Sequence, residues 1–384
     1  MTASPLDDGL MHDGTISVSC PSCGHAAGSA DSFCEACGTE LAPAGASTPA
    51  ADGTPAADGT PVGDRSPAGD GNPAGDGSAP PGFAAQCPVC SVDPSATPGP
   101  ISADGHCESC GRKVPSGRDH VELNLELLAG VSDRGLRHQR NEDAMALATA
   151  ETPAGLCAIA VVCDGVSSSP RADEASLTGA QAAVRVLLTS IRRGDDPQEA
   201  SLAAVRQAHE AMAVLGTPSQ APSATYISAV ISSTDVTICW LGDSRAYWLT
   251  ANPEESQRLT RDDSLAEELV VRGEMSEAEA MASPQAHVIT RWLGADVTSA
   301  QPHVRKFEPP GTGVLLICSD GLWNYQPDAA GLAARTLPQA VTDPASAADA
   351  LLKFALDSGG MDNITVVLAP FPLVRPAPLS RGFS

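Results

Sequence analysis

Aromatic residues make up only 3% of this 384-residue chain, so Ala, Val and Leu must fill most of any core. Basic residues are scarce as well, 23 against 47 acidic, and nearly all of them are arginine. The formal charge of -24 repels nucleic-acid phosphate and anionic membrane surfaces over most of the molecule. No run of about 18 apolar residues occurs, so no membrane span is readable. The acidic stretch from Met1 to Gly14 lacks a charged segment followed by an apolar one, which argues against a signal peptide and for a cytoplasmic protein. Neither a membrane nor nucleic acid is an expected partner.

Cysteine is the one reactive residue type that is well represented, and its twelve copies divide in two. Cys157, Cys163, Cys239 and Cys318 fall singly inside apolar runs and read as small buried hydrophobes. The other eight form C-x-x-C pairs in the first third of the chain. Two such pairs separated by a short loop supply four thiolates for one tetrahedral ion. The spacing assigns one zinc to Cys20, Cys23, Cys34 and Cys37, and a second to Cys87, Cys90, Cys107 and Cys110. Disulfides are the alternative, but a cytoplasmic chain rarely keeps them. His25 and His106 lie close by and read as exposed loop residues beside a full set of thiolates, with substitute ligands as the alternative.

The organisation along the chain follows. Residues 1–17 read as disordered, 18–40 as a first zinc ribbon and 86–112 as a second. Between them, residues 41–85 repeat Gly, Pro, Ala and Asp, which bury too little apolar surface to fold and read as a linker. A large domain spans 121–370, with a tail at 371–384. Within it, apolar strand-like runs occur near 157–163, 225–231, 235–241, 245–249, 303–307, 313–318 and 363–369. Ala-rich segments with helical spacing occupy 172–193, 197–215 and 345–356. Runs of strands with helix pairs inserted predict an α+β domain of antiparallel sheets covered by helices.

Acidic residues stand at the ends of several of these runs. Asp143 closes Asn141-Glu142-Asp143; Asp164 follows a run ending at Cys163; Asp320 follows one ending at Ser319; Asp362 precedes one starting at Ile364. Each Asp-Gly or Asp-Asn step is separately compatible with a turn. Together, carboxylates at strand ends are held rigidly and converge on hard cations. All-oxygen ligands select Mg²⁺ or Mn²⁺.

In this order, Ser132-Asp133-Arg134-Gly135 with Asn141-Glu142-Asp143, Val162-Cys163-Asp164-Gly165, Gly242-Asp243-Ser244-Arg245, Cys318-Ser319-Asp320-Gly321 and Asp362-Asn363-Ile364-Thr365 resemble the metal-dependent protein phosphatase family (PPM, the 2C type). The resemblance implies a four-layer α-β-β-α sandwich of two antiparallel sheets. It implies that Asp164 bridges two cations, that the Gly165 carbonyl ligates one of them, and that Asp320 and Asp362 complete the other. Glu142 and Asp143 would hold metal-bound waters, and Asp243 would serve a third, weaker cation. The implied chemistry is hydrolysis of phosphoserine and phosphothreonine proteins, products of a cognate serine/threonine kinase, by a hydroxide bridging two Mn²⁺ or Mg²⁺ ions. The zinc ribbons would then form a docking or regulatory arm.

The chain departs from the family pattern at two places. His138 stands where an arginine usually clamps the substrate phosphate, flanked by Arg137 and Arg140. Either a shifted guanidinium or a protonated His138 would take that task, or His138 is a packing residue. Ser167 and Ser168 replace a Gly-Gly pair, and Val166 stands where some relatives carry a histidine acid, so that leaving-group protonation would fall to a metal-bound water. Residues 262–294, rich in Glu, correspond to the flap, where His287 reads as a solvated or structural histidine, with a proton donor as the alternative. These departures motivate a second expectation: a catalytically weak phosphatase-fold module that binds phosphoproteins.

Overall fold

In the structure, a computed structural model, the described residues are 17–19, 26–28, 117–283 and 286–374. The chain divides into two compact units, one of residues 1–42 with 116–384 and one of residues 43–115. The second unit lies wholly outside the described residues, as do the eight paired cysteines, the linker and most of the tail. In the first unit a small hairpin pairs β1 (Ser17–Ser19) with β2 (Ala26–Gly28).

The large domain begins with β3 (His120–Asn124), β4 (Ala129–Asp133), β5 (Ala144–Thr152) and β6 (Gly155–Cys163). Helices α1 (Ala172–Arg193) and α2 (Pro197–Ala213) follow, then β7 (Ser223–Ala224), β8 (Tyr226–Ile231), β9 (Val236–Leu241), β10 (Arg245–Leu249) and β11 (Gln257–Arg258). Short helices α3 (Leu265–Val271) and α4 (Glu277–Met281) precede β12 (Leu293–Gly294), β13 (His303–Phe307) and β14 (Gly313–Cys318). The chain ends with α5 (Asp320–Trp323), α6 (Ala329–Thr336), α7 (Gln339–Thr342), α8 (Pro344–Asp357) and β15 (Ile364–Phe371).

Two antiparallel sheets form the centre. One has the order β11-β10-β14-β15-β4-β3, the other β13-β9-β8-β6-β5. Side-chain alternation explains how they stack. In β6, Ala158, Ala160 and Val162 join the core between the sheets, while Cys157, Ile159, Val161 and Cys163 pack toward α1 and α2. In β14, Leu315 and Ile317 face the other sheet, while Val314, Leu316 and Cys318 face the layer of α5 to α8. Strands covered on both faces read as unbroken apolar runs, which is why they were legible. The result is the expected four-layer α-β-β-α sandwich.

The long helices are bounded by local chemistry. α1 ends at Gly194, whose left-handed φ of 82° lets its N–H reach Ile191 O and Ser190 O. Two residues later Asp196 caps the N–H groups of Gln198 and Glu199, with Pro197 in the first turn of α2. Small residues bring α1 close to its neighbour: a Cβ at Gly179 would stand 1.9 Å from Met212 Cε. The four single cysteines are buried and free, as expected. Burial pushes the thiols of Cys157 up to about 11 and Cys239 to about 12, so both stay protonated near neutral pH. Among the described residues no helix is long and apolar enough to cross a membrane.

Candidate active site

The acidic strand ends meet in one cavity of about 410 Å³. The five-stranded sheet contributes Asp164 and Gly165, directly after β6, and Asp243, in the turn that follows β9. The six-stranded sheet contributes Asp320, after β14, and Asp362, before β15. Val166, Ser167, Thr225, Asn324 and Tyr325 line it too, with Met281, His287 and Ile289 from the flap. Four carboxylates line this space, and neither a lysine nor an arginine does.

Hydrogen bonds fix the acidic groups from behind. The Asp164 carbonyl accepts from Thr225 N at 2.7 Å, and its own N–H donates to Thr225 Oγ1 at 3.1 Å. Gly165 is obligatory, because a Cβ there would stand 2.8 Å from both Glu142 O and Ala172 O. Asn363 ties the first and last motifs together: its Nδ2 donates to Arg134 O and Arg140 O, and its Oδ1 accepts from Glu142 N at 2.7 Å. Ser319 and Thr365 hydroxyls donate to Asp143 Oδ2, both at 2.7 Å. Asp143 Oδ1 and Glu142 Oε2 are buried without a partner.

Crowding shifts the carboxyls upward. Burial and the charges of Asp143, Asp320, Asp362 and Asp243 hold Asp164 well above the usual carboxylate range. Burial acts on Asp320 first, then Asp362, and on Asp243 first, then Asp320. Asp362 is pushed up to about 8 by burial and by Asp143. Burial also raises Asp143 and Glu142.

A site that penalises its own ionisation is built for counter-charge. The orphaned oxygens of Asp143 and Glu142 and the all-oxygen donor set fit hard divalent cations. Among the described residues no three His, Cys, Asp or Glu side chains form a ready ligand set for one ion. Mg²⁺-like ions do not require one, because they keep several waters and use one or two carboxylates each.

A pH-dependent stability follows. With a folded value raised to about 8 for Asp362, against about 3.9 unfolded, the folded state binds the extra proton. That contribution is complete below about pH 4 and is lost as pH rises through about 8. The metal-stripped protein should melt at lower temperature at pH 8 than at pH 5.5, and Mn²⁺ should raise the melting temperature more at pH 8. Calorimetry in chelator and in Mn²⁺ reads both; a metal-free melting temperature that climbs from pH 5.5 to 8 contradicts it.

Of the three readings of His138, the geometry fits the packing one. His138 is 4% exposed and does not line the cavity. Its Nε2 sits 3.1 Å from Asp362 Oδ1, and burial lowers its affinity for a proton. It therefore packs behind Asp362 rather than reaching into the cavity. Arg137 is exposed, Arg140 Nη1 is paired with Asp173 Oδ1 at 3.1 Å, and neither lines the cavity. Ser167, which replaces a family glycine, lines it.

Sequence reasoning missed the rear support. Arg245 forms a buried fork onto Asp262, with Nη2 2.6 Å from Oδ2 and Nε 3.1 Å from each oxygen. Its guanidinium lies 3.6 Å from the Trp323 ring centroid, and Trp323 Nε1 donates to Asp243 O at 2.9 Å. The apolar wall of Met281, Ile289, Tyr325 and Met361 was missed too; only the position of Met361 beside Asp362 signalled it.

Known proteins are similar to this chain in sequence and in fold. The chain is 34% identical over 153 residues to the serine/threonine phosphatase stp of Listeria welshimeri, covering 39% of this chain and 58% of that protein. It is 32% identical over 251 residues to the serine/threonine protein phosphatase PstP of Mycobacterium tuberculosis, covering 63% of this chain but 44% of that one. The chain thus spans about half the length of these relatives. A crystal structure of the PstP catalytic domain in complex with two manganese ions superposes with a TM-score of 0.51 at 28% identity, over 63% of this chain and 96% of that one. The profile of protein phosphatase 2C matches residues 134–353. Because that match takes in more than half the chain and reaches from before Glu142 to beyond Asp320, the chain belongs to the protein phosphatase 2C family.

Proposed function

We propose that this chain is a metal-dependent serine/threonine phosphoprotein phosphatase acting on phosphomonoesters. The carrying observation is the cavity itself: four convergent carboxylates without a lysine or arginine among its lining residues. Such a space rejects a phosphate dianion unless cations are held there. Asp164, the Gly165 carbonyl, Asp320 and Asp362 would hold two Mn²⁺ or Mg²⁺ ions, with Glu142 and Asp143 behind them and Asp243 serving a third. Two manganese ions in the PstP catalytic domain support this choice of metal. Bound cations acidify water and neutralise charge on the phosphoryl oxygens. The chain's own part is to orient the acidic groups through Thr225, Ser319, Thr365 and Asn363 and to wall the site with apolar side chains. Substrates would be phosphoserine and phosphothreonine proteins, the products of serine/threonine kinases.

The test is phosphate release from a phosphothreonine peptide by the full chain with Mn²⁺, with Mg²⁺ and with chelator. Release only with metal supports the assignment. Bound Mn²⁺ without release would favour the weak, phosphoprotein-binding module, for which the loss of an arginine clamp at His138 is the specific observation.

The eight N-terminal cysteines belong to the same proposal as two structural zinc sites, Cys20/Cys23/Cys34/Cys37 and Cys87/Cys90/Cys107/Cys110, forming a docking or regulatory arm. Elemental analysis of protein purified without chelator should find two zinc per chain, falling to one in Cys20→Ser. Zinc-free protein, or disulfides in its place, would refute the assignment.

A further inference from the structure

The hydrolysis of a serine or threonine phosphate ester expels an alkoxide, which needs a proton as it leaves. The residues lining the cavity limit what can supply one. The four aspartates hold no proton while they bind cations. Ser167 offers only an alcohol hydroxyl, too weak an acid for the task. Asn324 Nδ2 is bound to Asp320 Oδ2 at 3.1 Å, and an amide is no acid in any case. Thr225 Oγ1 is shared between Asp164 N and Ser244 Oγ. The Tyr325 hydroxyl, a weak acid, accepts from Met361 N at 2.9 Å. Val166, Met281, Ile289 and Met361 have nothing to give. His287 is the remaining side chain of the lining of a type that serves as a general acid.

Its placement is defined. The flap turns back so that Leu265 N donates to Val288 O and Thr290 N to Asp263 O, both at 2.8 Å, with Ser264 bridged to Ile289. These bonds pin the backbone immediately after His287 onto the start of α3. The imidazole stacks near Trp323, with ring centroids 6.3 Å apart and planes 24° apart. Trp323 is itself buried, at 1% exposure, and anchored to the Asp243 carbonyl. The ring therefore borders the same space as Asp164, Asp243, Asp320, Asp362 and Tyr325, the other titratable groups of the lining.

We propose that His287 is the general acid that protonates the leaving serine or threonine oxygen, an assignment that rests on the phosphatase reading above. Water attacks phosphorus and forms the new P–O bond. The bond to the side-chain Oγ breaks, its electron pair stays on Oγ, and the imidazolium N–H proton passes to that oxygen. The ring, now neutral, is recharged from solvent by the proton that the attacking water releases. Stacking on Trp323 holds the ring and Arg245 steadies Trp323 from within, so the donor is tied to the same element as Asp320.

The test compares two leaving groups on the full chain with Mn²⁺. A phosphothreonine peptide expels an alkoxide; p-nitrophenyl phosphate expels a stable phenolate that departs unprotonated. In His287→Ala, turnover of the peptide should fall roughly 10²-fold. Turnover of p-nitrophenyl phosphate should fall far less, and added imidazole should restore part of the peptide activity. His287 is exposed, so the variant's melting temperature should match that of the parent. Equal losses on the two substrates, or none on the peptide, overturn the assignment. If the unmutated protein hydrolyses neither substrate with Mn²⁺, the phosphatase reading fails and the acid assignment falls with it.

Discussion

Asp164→Asn should abolish metal-dependent phosphate release, by roughly 10³-fold, since about 4 kcal/mol of lost charge stabilisation corresponds to that factor. The same variant should fold more stably than the parent in chelator. Asp164 feels four neighbouring carboxylates, Asp143, Asp320, Asp362 and Asp243, besides its own burial. An amide of the same shape removes one negative charge from that cluster and keeps the backbone bonds to Thr225. The function thus demands a carboxylate that the metal-free fold disfavours. In Mn²⁺ the order of melting temperatures should narrow or reverse, because only the parent gains the full stabilisation of bound ions. Calorimetry in chelator and in Mn²⁺, beside phosphate release, reads all three; a variant that releases phosphate at the parental rate would remove Asp164 from the site.

Arg245→Ala should cost about 3–5 kcal/mol of stability, the range for removing one partner of a buried ion pair. For a domain of this size that lowers the melting temperature by on the order of 10 °C. Side chains of Arg245 and Asp262 are 3% and 5% exposed, so the buried Asp262 would lose its fork and keep only Arg258, 3.9 Å away. The guanidinium stem also packs on Trp323, which holds the Asp243 carbonyl. Activity should fall in parallel, because Asp243 and His287 both lean on Trp323. Replacing the pair together, Arg245→Met with Asp262→Leu, should recover much of the stability, since no charge is then stranded. Thermal melts of the single and double variants decide this. A single variant as stable as the parent would show that the pair does not hold the site.

The parts legible in the sequence were those where one physical demand dominates. β6, β14 and β15 are covered on both faces, so their apolar runs stood out, and the acids at their ends were visible by position alone. Gly194, Asp196 and Pro197 marked the break between α1 and α2. β5 was not foreseen: Ala144-Met145-Ala146-Leu147-Ala148 favours helix by intrinsic propensity, and only pairing with β6 from Ala144↔Cys163 to Thr152↔Gly155 makes it a strand. Helix α6 was missed because Gly331 sits inside it, and its Asp328 cap was indistinguishable from a turn residue.

The site divides similarly. Its acidic residues came from strand ends, whereas its support came from contacts distant in sequence, such as Arg245 with Asp262 and Trp323, which no spacing encodes. His138 showed the limit of reading by position. It occupies the place of a phosphate-binding residue in the sequence, yet the fold turns it inward against Asp362.

The most direct measurement is anomalous diffraction at the manganese edge from crystals of the full chain grown with Mn²⁺. The account predicts two strong peaks between Asp164, the Gly165 carbonyl, Asp320 and Asp362, both weakened or lost in Asp164→Asn. Crystals whose cavity holds no manganese under saturating Mn²⁺ would contradict it.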